Sequence, residues 1–254
     1  MIAAPKRGLP GTRPEGARDE TEAAAHVREM FGRIAPRYDL LNHLLSLDVD
    51  KLWRRRVAEK FHLILNDPNA RVLDLCCGTG DLAFAFFREA PYGAEIIGAD
   101  FVPEMLARAR AKAAAARADL EFVEADALCL PFADASFDLV SCAFGFRNLA
   151  NYDRGLQEIL RVLKPGGRAG ILEFAEPRGK VFGAIYRFYF RHMLPLLGGI
   201  ISGDMSAYTY LPSSVSKFPP PEELKLLFDR ADFVDAQFER WTGGVVTLHT
   251  GGKT

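Results

Sequence analysis

At Val72-Leu73-Asp74-Leu75-Cys76-Cys77-Gly78-Thr79-Gly80-Asp81-Leu82 an apolar run enters a glycine turn, and a helical pattern begins straight after it. The run predicts a short strand over Arg71–Leu75 and a helix from Asp81 to about Ala90. Glycine in such a turn takes backbone conformations that a side chain forbids, and it lets the main chain approach a ligand closely. The helix start beyond it presents free N–H groups. A strand followed by a covering helix is the repeating unit of a parallel sheet, because parallel neighbours need a crossover between them.

The alternation continues downstream. Strands are expected at Glu95–Ala99, ending on Asp100, at Leu120–Glu124, close to Asp126, and at Phe137–Ala143. Pro103–Ala116 reads as a helix with proline in its first turn. Leu156, Ile159, Leu160 and Leu163 mark another helix, stopped by Pro165-Gly166-Gly167 before a strand at Arg168–Phe174. A last helix, Glu222–Arg230, and two strands, Phe233–Arg240 and Val245–Thr250, complete the pattern. The expected fold is α/β: a Rossmann-like, seven-stranded, mostly parallel sheet with helices on both faces. Ahead of it, Val27, Met30, Phe31 and Ile34 recur at helical spacing, and a second helix is expected from about Asp50 to Leu65, with Trp53, Val57, Phe61 and Ile64 on one face. Residues 22–68 therefore read as a helical cap, and 176–221, long and aromatic, as a helical substrate-binding insertion. Residues 1–21, rich in Pro, Gly, Arg and Ala and without the apolar core of a signal peptide, read as a disordered cytoplasmic terminus, leaving 22–254 as one domain. Val181–Ile201 is the most apolar stretch, but Arg187, Arg191, His192 and Pro195 interrupt it, so it falls short of a spanning helix.

Charge narrows the function classes. The chain has 32 basic and 33 acidic residues, and so lacks the positive excess of a nucleic-acid binder. Its cysteines, Cys76, Cys77, Cys129 and Cys142, show no C-x-x-C spacing; they read as small buried hydrophobes in a reducing compartment, with no metal site. Cys129 lies near a ligand loop, without a neighbour to activate it as a nucleophile.

The glycine turn does not meet G-x-G-x-x-G, because the run is G-T-G-D-L-A. Asp74 stands four residues before Gly78. A carboxylate beneath the turn suits the ammonium of S-adenosylmethionine and would repel the pyrophosphate of NAD. Asp100, about twenty residues beyond the turn, can accept both ribose hydroxyls, and Asp126-Ala127 can meet the adenine amino group. Any one of these acids alone reads as a solvated loop residue. Three of them, at the ends of three successive strands, read as contacts to S-adenosylmethionine.

Further segments carry a resemblance. Tyr38-Asp39-Leu40-Leu41-Asn42 with Ser46 and Trp53, Phe144-Gly145-Phe146-Arg147-Asn148, and Arg161-Val162-Leu163-Lys164-Pro165-Gly166-Gly167 running on to Glu173-Phe174 resemble the ubiquinone/menaquinone biosynthesis C-methyltransferase family. So do Tyr208-Thr209-Tyr210-Leu211-Pro212-Ser213-Ser214 with Phe218-Pro219, and Gly244-Val245-Val246 with His249. Lys-Pro-Gly-Gly recurs in many methyltransferases, whereas the tyrosine-rich and F-G-x-R-N segments are far more specific. Departures are Asp50, where the family commonly has histidine, Ala143, where some members have a cofactor-contacting serine, and Ala175 in place of a serine. The resemblance implies S-adenosylmethionine-dependent C-methylation of a reduced polyprenyl quinol, with Thr79, Asp100, Asp126 and Ala127 as cofactor contacts. Gly78 and Asp74 join them from the turn itself.

Within that chemistry Arg147 is the expected catalytic residue, a cation that stabilises the quinol oxyanion. The competing reading is an ion pair with a structural acid. Asn148, His192, Tyr208 and Tyr210 are the expected substrate contacts, against ordinary roles as lid anchors or core. Phe182, Ile185, Phe188, Tyr189 and Leu196 read either as a prenyl channel or as packing, and Arg187 with Arg191 would suit a peripheral membrane contact. A homodimer and a place in a quinone-synthesis complex are both compatible with this reading. Methylation of another small molecule or of RNA is the alternative, although amino-methylating enzymes typically carry N-P-P-Y where this chain has F-G-F-R-N.

Overall fold

The computed structural model describes residues 11–14, 16–46, 48–177, 179, 183–184, 186, 188 and 205–254. Its centre is a sheet in the order β3-β2-β1-β4-β5-β7-β6. β1 (Arg71–Leu75), β2 (Glu95–Asp100), β3 (Glu121–Glu124), β4 (Phe137–Ala143) and β5 (Leu163–Phe174) pair in parallel, while β7 (Val246–Gly252) runs antiparallel to β5 and to β6 (Val234–Trp241). This is the expected seven-stranded, mostly parallel sheet. The order turns back at β1, which neighbours both β2 and β4, and ligands of open α/β sheets bind at the carboxyl ends on either side of such a reversal.

Both faces of the sheet are covered. Leu73, Leu75, Val140 and Ile171 pack on one side with α7 (Tyr152–Val162) and α9 (Pro221–Arg230); Val72, Ile96, Leu139 and Leu172 pack on the other with α3 (Val49–Lys60) and α5 (Asp81–Glu89). Asp74 shares the face of Val72, since side chains two apart in a strand point the same way. β5 begins earlier than expected: Leu163 already pairs with Phe137, so Pro165-Gly166-Gly167 lies within the strand, where the β4–β5 register shifts.

The cap departs from its expected form. α1 (Glu20–Ile34) is present, its start capped by the Asp19 carboxylate accepting the Glu22 N–H. A further helix, α2 (Tyr38–Ser46), fills a stretch that had been read only as motif. The single helix expected from Asp50 to Leu65 breaks at Phe61 into α3 and α4 (His62–Leu65). At the break the Phe61 ring packs over Gly170 of β5, where a Cβ would stand 2.7 Å from it, so the ring occupies room that only glycine leaves.

Of the terminus expected to be disordered, residues 11–14 and 16–21 are described, and these are ordered against the domain. Thr12 donates its N–H to the Leu149 carbonyl at 2.7 Å, and Arg13 Nη1 donates to the Ala150 carbonyl at 2.9 Å, so this segment is tied to the loop after β4. A polar, Pro/Gly-rich composition does not prevent ordering when backbone groups find partners. α6 (Pro103–Ala116) follows β2 as expected, and α8 (Met205–Lys217), with Pro212 inside it, lies in the expected insertion. Phe182, Ile185, Arg187, Tyr189, Arg191, His192 and Leu196, and the side chain of Tyr208, lie outside the described residues. Among the described residues no helix is long and apolar enough to cross a membrane.

Candidate active site

A cleft opens at the carboxyl ends of β3, β2, β1 and β4. Asp74, Gly78, Thr79, Asp100, Asp126 and Ala127 all line it, so the structure brings together every expected cofactor contact; Asn148 joins them. The turn after β1 has left-handed backbone at Cys76 (φ 55°), Gly78 (φ 55°) and Gly80 (φ 86°), which directs its amides toward the end of β2. There Gly78 N–H donates to Asp100 Oδ2 at 2.8 Å, while Val102 N–H donates to Oδ1 at 2.9 Å. Asp100 therefore has a structural task beside the expected ribose contact: it ties the turn to β2.

The other acids differ in setting. Asp74 is buried and accepts the Ala83 N–H of α5 at 2.9 Å. Asp126 is exposed and closes a local turn, accepting from Leu128 N–H at 2.9 Å, with buried Ala127 beside it. The Thr79 hydroxyl donates to Asp39 of α2, whose other oxygen takes Lys112 Nζ at 3.0 Å. Thr79 thus anchors the cap over the turn as well as lining the cleft. Ala143 lines it too, where a serine would add a hydroxyl. A cleft walled by acids, with no cluster of cations among the described residues that line it, fits S-adenosylmethionine, which carries a sulfonium and an ammonium.

The ubiE/COQ5 methyltransferase family matches residues 18–253. The chain belongs to this family. A demethylmenaquinone methyltransferase of Thermus thermophilus is 53% identical over 88% of this chain and 100% of its own length. The protein of the same name from Deinococcus radiodurans is 49% identical over 92% and 95%. A ubiquinone/menaquinone biosynthesis C-methyltransferase of Geobacter sulfurreducens is 46% identical over 92% and 90%. A crystal structure of a SAM-dependent methyltransferase from Thermotoga maritima shares the fold, with TM-score 0.60 at 19% identity, covering 89% of this chain and 99% of that one. So does a phosphoethanolamine N-methyltransferase of Haemonchus contortus in complex with S-adenosylmethionine, with TM-score 0.54 at 16% identity, covering 74% and 49%.

As a ubiE/COQ5 methyltransferase the chain is an S-adenosylmethionine-dependent enzyme. Its Arg147 stands where the family resemblance led one to look, directly after β4, but its guanidinium does not line the cleft. Nη1 pairs with Glu173 Oε2 at 3.0 Å and donates to the Phe144 carbonyl, while the Arg147 N–H donates to Glu173 Oε1 at 3.0 Å. Arg147 is thus paired with an acid, the arrangement that the competing reading describes. β5 brings fully buried Glu173 beside the loop, and a buried carboxylate requires a partner. Asn148 does face the cleft, and its Oδ1 accepts from the Tyr210 hydroxyl of α8 at 3.1 Å. Tyr210 also meets the Thr12 hydroxyl at 3.2 Å, so it reaches the site through Asn148 rather than directly. His249 is buried against the Pro221 carbonyl at 2.9 Å, far from solvent, in a structural position. Of the cysteines, Cys129 departs from the expected burial and is exposed; Cys76 and Cys77 carry thiols raised well above the usual range, Cys76 first by its hydrogen bond with Cys142 and then by burial, Cys77 by burial.

The sequence reading missed Arg54, Tyr38 and Asp81, which also line the cleft. The signal for Arg54 in the sequence was its place four residues after Asp50, which sets the two on one face of a helix.

Burial pushes the Asp74 carboxyl up to about 8, against the opposing hydrogen bond from Ala83. Below that pH Asp74 is largely neutral until a ligand cation meets it. A bound ammonium favours the ionised form, so binding releases a proton and tightens as pH rises toward about 8. Calorimetry at pH 7 in buffers of different ionisation enthalpy should show a proton release that disappears in Asp74→Asn. The same proton count in both proteins would remove Asp74 from the ammonium site.

Proposed function

We propose that this enzyme methylates a ring carbon of a reduced polyprenyl quinol, demethylmenaquinol or the corresponding ubiquinone precursor. The observation that supports this most directly is the acid-walled cleft, which continues past the turn to Asn148 between the apolar walls of Phe101, Phe144 and Leu149. The names of the relatives at 53% and 49% identity point to the same substrate class.

When bound, S-adenosylmethionine supplies an electrophilic methyl on sulfur. Asp74, Asp100 and Asp126 would hold its cationic and polar groups along the strand ends, and the aromatic walls would shield the methyl from bulk water. Asn148, steadied by Tyr210, orients a ring oxygen of the quinol. Arg147 is proposed as a positioning residue: with Glu173 it fixes the loop that carries Asn148 and Phe144. A ring hydroxyl with pKa about 10 is mostly protonated at neutral pH, so a water at the ring oxygen would take its proton as the adjacent carbon attacks the methyl and the S–CH3 bond breaks, leaving the thioether; loss of the ring C–H proton and return of a proton to the oxygen then restore the aromatic quinol. The apolar tail implies a substrate drawn from a bilayer, so the reading includes a cytoplasmic enzyme in peripheral contact with the membrane.

Activity should require the reduced ring, because only a quinol pushes electrons from oxygen to carbon. A demethylmenaquinone analogue assayed with and without dithionite is expected to react only in the reduced form. Equal rates on the oxidised quinone would contradict the mechanism.

A further inference from the structure

Among the described residues that line the cleft there are several acids but one cationic side chain, Arg54. S-adenosylmethionine carries two positive groups and one negative group, the carboxylate of its amino-acid end. With the ribose at Asp100 after β2 and the adenine at Asp126 after β3, as expected from the sequence, the amino-acid end would lie over the turn after β1, toward β4. Arg54 lies at that end, in α3, with its guanidinium 5.3 Å from the centre of the Phe144 ring. We propose that Arg54 is the receptor for the amino-acid carboxylate of the cofactor.

The side chain is prepared for such a partner. It is 8% exposed, and an arginine so buried needs more than one acceptor. Its one hydrogen bond among the described residues runs from Nη1 to Asp50 Oδ2, leaving the other N–H groups of the fork without a partner. Asp50 is itself fully engaged, since His43 Nδ1 meets Oδ2 at 3.0 Å and the Ser46 hydroxyl donates to Oδ1. Asp50 thus orients Arg54, which gives a task to the residue that stands in place of the family's histidine. Asp81 also faces this end of the cleft; Lys112 Nζ lies 2.6 Å from it and offsets part of its charge, which with that of Asp50 holds the Arg54 guanidinium protonated without supplying it a second hydrogen bond. A guanidinium suits this task because its planar fork grips both oxygens of a carboxylate.

The inference rests on the cleft being the cofactor site. Titration calorimetry with S-adenosylmethionine and with decarboxylated S-adenosylmethionine separates the two claims. The unaltered enzyme should bind the decarboxylated form more weakly, by on the order of thirty- to a hundredfold. Arg54→Gln should weaken S-adenosylmethionine by the same factor and leave the decarboxylated form unchanged. Arg54→Lys should recover part of the loss. Equal affinity of the unaltered enzyme for both ligands would overturn the proposal without recourse to any variant. So would an Arg54→Gln protein that binds S-adenosylmethionine normally, or one that loses both ligands alike. Failure of the unaltered enzyme to bind S-adenosylmethionine would instead remove the cofactor site itself.

Discussion

Asp100→Ala is expected to lower the affinity for S-adenosylmethionine by about 2–5 kcal/mol, the loss of two hydrogen bonds to a charged acceptor. The structure enlarges that expectation. Asp100 holds the Gly78 and Val102 amides at 2.8 and 2.9 Å, so its removal also frees the turn that the cofactor must meet. Asparagine should not rescue: both carboxylate oxygens accept from backbone donors, and an amide would set its own N–H against one of them. Burial pushes the Asp100 carboxyl up to about 6, against the backbone bonds that lower it, so the unaltered site ionises fully only above that pH. Affinity should therefore fall as pH drops through about 6 in the unaltered enzyme and lose that step in Asp100→Ala. Calorimetry across pH 5–8, with circular dichroism to confirm the fold, checks both points. Unchanged affinity would take Asp100 out of the site.

What could be read from the chain beforehand was what local order dictates. Asp74, Asp100 and Asp126 each follow or close a strand, and once the strands lie parallel their carboxyl ends share one edge, so residues far apart in sequence meet without any contact being known. Contacts set by packing between distant segments could not be read. The Phe61 ring packs over Gly170, more than a hundred residues away, and no periodicity within 50–65 announces the break there. Thr79 reaches Asp39, forty residues earlier, because α2 folds back over the turn, and α2 itself was hidden inside a motif. The composition around Thr12 and Arg13 predicts disorder, yet they bond to backbone carbonyls at Leu149 and Ala150, and composition says nothing about such partners. Arg147 and Glu173 were both noted in the sequence, one as a catalyst and one within a signature. Only the adjacency of β4 and β5 makes them a pair.

That pair sets the second large effect. Arg147→Ala leaves the Glu173 carboxylate, which is 0% exposed, without its cation, and breaking a buried ion pair from one side costs about 3–5 kcal/mol. For a chain of this size that is a fall in melting midpoint of roughly 6–20 °C. The loop should loosen with it, since Nη1 also holds the Phe144 carbonyl and the Tyr152 hydroxyl donates to the Arg147 carbonyl at 3.0 Å. Cofactor affinity should then fall alongside stability, because Phe144 and Asn148 wall the cleft. Arg147→Lys should keep part of the stability, as a point charge that reaches Glu173 without reproducing the fork. The double substitution Arg147→Met with Glu173→Leu should recover more stability than Arg147→Ala retains, since paired apolar replacements remove both charges together. The opposite pattern is equally specific. If the guanidinium leaves Glu173 to act on the quinol oxygen during turnover, Arg147→Lys should retain stability and cofactor affinity while turnover falls about a hundredfold. Melting curves and cofactor titrations on the same protein samples distinguish the two, and a Lys variant that loses only turnover would return Arg147 to the catalytic role and withdraw the positioning one.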